Sequence, residues 1–160
     1  MVSTYTKDAI IVVDVQNDFV DGSLGTDRGV EVARGINTWL REVLSVDQGE
    51  DAEEAGEGSG ARKAANSRPL IVEGHFAPEG EEPDYKDPWP VHCVADTHGA
   101  QVCAELNSDL VDVWFHKGEY TAAYSGFEGH LAGEEQTLQQ WLNSHEVENV
   151  TIVGIATDFC

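Results

Sequence analysis

Four short apolar runs, rich in β-branched residues, recur along this chain: residues 9–15 (AIIVVDV), 69–73 (PLIVE), 111–117 (VDVWFHK) and 150–155 (VTIVGI). Runs of that length and composition read as strands buried on both faces, the kind used by parallel sheets. Between the first two, apolar residues follow a helical period over 29–46: Val32, Ala33, Ile36, Trp39, Leu40, Val43 and Leu44. Glu31, Arg34, Asn37, Thr38, Arg41 and Glu42 fill the opposite face. A second amphipathic helix is predicted over 134–145, with Leu138, Trp141 and Leu142 on one face. Residues 16–23, rich in Asn, Asp and Gly, read as a loop. Residues 91–94 form a short apolar piece, and 101–106 read as a short helix. The order β, α, β, loop, β, α, β predicts an α/β fold of parallel strands joined by helical crossovers.

One domain over residues 1–160 accommodates these elements. Residues 47–63 (DQGEDAEEAGEGSGARK) interrupt it as an acidic insertion with almost no large apolar side chain to bury. The loop over 74–90 carries Tyr85 and Trp89 and is flanked by His75 and His92. Its length points to function rather than mere connection. Thirty acidic against nine basic residues give a net charge of −21. That charge disfavours nucleic acid and anionic membrane surfaces as partners. Such an acidic, lysine-poor surface resembles that of salt-adapted (halophilic) proteins, whose stability rises with salt because self-repulsion is then screened; a plain acidic soluble enzyme is the alternative. The N-terminal residues are polar, no apolar run approaches the length of a membrane span, and three scattered cysteines do not suggest a disulfide framework. A cytoplasmic location is the expectation; homo-oligomer formation is left open.

Asp14, Lys117 and Cys160 each fall at or just beyond the carboxyl end of a predicted strand. In a parallel sheet those ends share one edge, where α/β proteins bind ligands. A carboxylate, an ammonium and a thiol make a nucleophilic set. Asp14 would take the thiol proton and later return it, and Lys117 would hold the negative charge. If a helix follows, capped by Thr157 or Asp158, its dipole favours the thiolate of Cys160. On placement alone, a structural Asp14–Lys117 pair beside a buried, inert cysteine is the alternative.

VVDVQNDF (12–19), WPVHCV (89–94), FHKGEYTAAYSGFEG (115–129) and VGIATDFC (153–160) closely resemble the nicotinamidase/pyrazinamidase branch of the isochorismatase-like cysteine hydrolases. The resemblance runs through nearly the whole chain except the 47–63 tract. It implies a three-layer α/β/α sandwich around a mainly parallel, Rossmann-like sheet, with a further helix–strand portion beyond the cysteine. It implies a catalytic triad of Asp14, Lys117 and Cys160, and an oxyanion hole from the N–H groups of Ala156 and Cys160, with a cis peptide before Ala156. Phe19, Trp89 and Tyr124 match the aromatic lining of a pyridine pocket. The implied metal ligands are Glu73, His75 and His92. Glu73 stands where the family has aspartate, and Glu81 or Glu82 stands in the region of a fourth ligand. The implied cofactor is one divalent ion: zinc first, with iron or manganese as alternatives.

The reaction implied is hydrolysis of nicotinamide to nicotinate and ammonia through a thioester, a step of NAD salvage, with pyrazinamide as a second substrate. Two rivals stand beside it. One is a cysteine amidohydrolase of the same superfamily acting on a carbamoyl or ureido substrate. The other is a non-catalytic binding member, expected only if the chain ends at Cys160, where a terminal carboxylate would oppose the thiolate.

Overall fold

A computed structural model describes residues 8–46, 92–118 and 125–156, together with the backbone of 70–75. The acidic tract at 47–63 and most of the 74–90 loop lie outside the described residues. Among the described residues, five strands form one sheet in the order β4-β3-β2-β1-β5. They are β1 (Asp8–Val13), β2 (Leu70–His75), β3 (Val113–Lys117), β4 (His130–Leu131) and β5 (Asn149–Gly154). β1 runs parallel to both β2 and β5, and β2 runs parallel to β3. Only the two-residue β4 is antiparallel, against β3.

The period-2 alternation of β1 sorts the core into two layers. Ile10 and Val12 pack with Ala33, Ile36, Leu40 and Leu44 of helix α2 (Gly29–Val46). Ala9 and Ile11 pack with Phe115 and with Leu138, Trp141 and Leu142 of helix α3 (Leu138–Ser144). β1 is thus covered on both faces, as its continuous apolar run requires; β5, expected to be buried as well, is an edge strand of this sheet and leaves Val150 39% and Ile152 61% exposed. α2 has the bounds its periodicity predicts, although Val32 remains 39% exposed.

Three local predictions need correction. Residues 101–106 are not helical: Val102 bridges Gln16, and the N–H of Cys103 donates to the carbonyl of Val15 at 3.0 Å. Long-range pairing has taken the groups a helix would use. The 134–145 helix starts later, at Leu138. Thr137 accepts the N–H of Gln140, whose side chain accepts the N–H of Thr137 in return. This reciprocal cap sets the first turn. The supposed loop after β1 contains a short helix, α1 (Asn17–Val20), opened by the carbonyl of Gln16 accepting from Phe19 and Val20.

Candidate active site

β1 ends at Val13, and Asp14 then turns with a φ of 51°. This left-handed step breaks the strand's alternation and re-aims the carboxylate. Lys117 is the last residue of β3, in register with His75 of β2. Two strand spacings, roughly 9.5 Å, separate β3 from β1. The long lysine arm and the turned aspartate meet across that gap. Lys117 Nζ lies 3.0 Å from Asp14 Oδ2, and both side chains are 1% exposed. A charge buried so completely requires a counter-charge, and each group supplies the other's.

β5 delivers its own carboxyl end to the same place. Gly154, at φ 145°, lies so close to the Val13 carbonyl oxygen that a Cβ would overlap it, and the Ile155 N–H donates to that oxygen at 3.0 Å. The Ile155–Ala156 peptide is cis. Ala156, an expected oxyanion donor, is the second residue after Gly154, which pairs with Val13 at the end of β1. Cys160 lies outside the described residues. Cys93 and Cys103 are buried, and burial, the foremost cause, pushes the Cys103 thiol up. Both are closed to solvent, as inert structural thiols are.

On the aromatic side, Phe19 of α1 meets the ring of His92 edge-on, with centroids 5.2 Å apart and planes at 63°. His92 is 6% exposed. Trp89 and Tyr124 lie outside the described residues. Glu73 and His75 occupy alternate positions at the carboxyl end of β2, between the strands that carry Asp14 and Lys117. One carboxylate with two imidazoles is a donor set suited to a divalent transition metal. Among the residues whose side chains are described, no three His, Cys, Asp or Glu gather around a common point. Of the three expected ligands, only His92 belongs to those residues.

A group of residues that the sequence reading passed over ties this region together. Gln16, 1% exposed, donates from Nε2 to the carbonyl of Ala100 at 2.7 Å. Asn17 donates from Nδ2 to the carbonyl of His98 at 2.7 Å, and its backbone N–H donates to the carbonyl of Gln101 at 2.9 Å. Asp18 Oδ2 accepts the backbone N–H of Cys93 at 2.7 Å. The only local signal was three successive polar side chains between buried Val15 and Val20.

The chain matches the isochorismatase domain family over residues 8–160. It is 38% identical to the nicotinamidase/pyrazinamidase of Mycobacterium tuberculosis over 154 residues, covering 95% of this chain and 73% of that protein. Among solved structures, the pyrazinamidase of Pyrococcus horikoshii in complex with zinc superposes with a TM-score of 0.69 at 27% identity, covering 97% of this chain and 74% of that one. A protein of L. infantum in complex with nicotinate gives a TM-score of 0.70 at 26% identity, covering 98% and 71%. With a family match along almost its whole described length, and a fold that carries a buried carboxylate–ammonium pair where its parallel strands end, the chain belongs to the isochorismatase family, in the nicotinamidase/pyrazinamidase branch.

Proposed function

We propose that this chain is a metal-assisted cysteine amidohydrolase converting nicotinamide to nicotinate and ammonia through a thioester. The observation that carries the reading is the Asp14–Lys117 pair, buried at 3.0 Å and next to the Gly154–Ala156 seam. A buried ion pair is poor evidence of a stabilising device, because desolvation offsets most of its attraction. At the ligand-binding edge of a parallel sheet it is better explained as machinery.

In this mechanism Asp14 accepts the thiol proton of Cys160, and Lys117 balances the charge shared between carboxylate and thiolate. The sulfur attacks the carboxamide carbon, and the N–H groups of Ala156 and Cys160 receive the developing oxyanion. Collapse breaks the C–N bond, with Asp14 returning its proton to the departing ammonia. A water then gives Asp14 a proton as its oxygen attacks the thioester carbon. The C–S bond breaks, nicotinate leaves and the thiol is restored. Phe19, Trp89 and Tyr124 would enclose the ring and exclude bulk water. Glu73, His75 and His92 would hold the divalent ion, which when bound supplies Lewis acidity to the pyridine nitrogen and to water. Zinc is the choice supported by the P. horikoshii pyrazinamidase, and pyrazinamide is the second substrate supported by the M. tuberculosis relative's name.

The test is release of ammonia and nicotinate from nicotinamide by the full chain supplied with zinc, iron or manganese. Cys160→Ala serves as the blank. Release that is absent with every metal, or equal in the Cys160→Ala variant, overturns the reading.

A further inference from the structure

We propose that Asp18 is a positioning residue for His92, fixing that imidazole through the backbone of Cys93. The inference rests on the reading of His92 as a metal ligand. Cys93, the residue after His92, sits at φ 49°, a conformation that residues other than glycine rarely adopt. Its N–H donates to Asp18 Oδ2 at 2.7 Å, the short separation of a bond to a charged acceptor. The turn that presents His92 is therefore held by a carboxylate more than seventy residues away in sequence.

That carboxylate is half-buried and closely flanked by two glycines. A Cβ at Gly99 would overlap Asp18 Oδ2, and one at Gly22 would lie 2.6 Å from Asp18 Cα. Both approaches exist only because these residues lack side chains. Asp18 thus has little freedom to move, and the bond it makes to Cys93 is fixed in place as well as direction. Phe19, the next residue, touches the other end of the same unit through the His92 ring. Two successive residues of α1 thereby set the backbone exit and the ring of one histidine. Gln16 and Asn17 grip the same loop further on, at Ala100 and His98. They secure the loop, whereas Asp18 acts beside the ligand.

Partners behind a metal-binding histidine typically change metal affinity by about 10- to 100-fold when removed. The experiment measures zinc dissociation constants by competition with a chromogenic chelator, on folded full-length protein. The Asp18→Ala variant is expected to bind zinc about 10- to 100-fold more weakly. Asp18→Asn keeps an acceptor oxygen but loses its charge, and is expected to lose roughly three- to tenfold. Asn17→Ala loosens the same loop at His98 and is expected to stay within about threefold of the parent. Asp18→Ala binding within that same margin, or Asn17→Ala losing as much as Asp18→Ala, overturns the proposal. If Asp18→Ala does not fold, Asp18→Asn decides, and unchanged affinity in that variant overturns it. His92→Ala separates the two readings. Unchanged affinity there removes the ligand assignment and the proposal with it. Weakened affinity there, with none in Asp18→Ala, removes the positioning role alone.

Discussion

Breaking the Asp14–Lys117 pair from one side should cost far more than removing it whole. At 3.0 Å and an effective dielectric constant of about 20, the mutual attraction is about 5.5 kcal/mol. Desolvation of the two ions offsets much of it, since each is 1% exposed. Replacing Lys117 by Met keeps the stem's bulk and leaves the carboxylate buried without its ammonium. Replacing Asp14 by Asn leaves the ammonium in the same position. Each single change is expected to lose about 3–5 kcal/mol of unfolding free energy, a large share of the ~5–15 kcal/mol of an ordinary domain. The double variant should return to within about 1–2 kcal/mol of the parent, because no orphan charge remains. Urea denaturation followed by tryptophan fluorescence reads all four corners of the cycle. Ammonia release should be lost in all three variants. Singles that each lose less than ~1 kcal/mol, with an additive double, would refute the view that these two charges depend on one another.

Other tests address the surroundings of the pair. Gly154→Ala should destabilise by about 1–3 kcal/mol from its dihedral alone, and slow turnover further because its Cβ would push the end of β5 away from Val13; a thermal melt beside a rate measurement checks both. Iodoacetamide should modify a single thiol rapidly in the native protein, with loss of activity. Peptide mapping should find the label at Cys160 and not at buried Cys93 or Cys103. Arg34 holds the Glu105 carboxyl below its ordinary 4.5, so this contact's stabilisation is present above that value and is lost as pH falls through the lowered one. Arg34→Gln should therefore flatten the acid side of the stability–pH curve, most visibly at low salt. Molar KCl should raise the melting temperature of a chain carrying −21 charges, and an unchanged melt would dismiss salt adaptation.

The parts of the fold that could be read in advance were those encoded by local periodicity. The β-branched runs gave the parallel strands, and α2 kept its predicted limits because its apolar face meets β1 directly. Part of what escaped was set locally, as with the Thr137–Gln140 cap that delays the start of α3; the rest was decided by partners distant in sequence. Residues 101–106 have no local reason to avoid a helix; the backbone of Val15 and Gln16 pre-empts them. The grip of Gln16, Asn17 and Asp18 on the 93–101 loop spans about eighty residues, and no spacing rule reports it. That Asp14 and Lys117 would meet was legible because strand ends are predictable. The left-handed turn that lets them touch was not, since nothing in VVDVQNDF specifies a positive φ at an aspartate.

The lysine arm that reaches over β2 also acts as a gauge of strand alignment. Sliding β3 by one residue along β2 would carry Lys117 about 3.3 Å along the sheet and turn its side chain to the opposite layer. The ammonium would lose Asp14 and face the opposite layer of the sheet. A misaligned sheet therefore meets an electrostatic penalty as well as a packing one, and the two groups proposed for chemistry help select the alignment that brings them together.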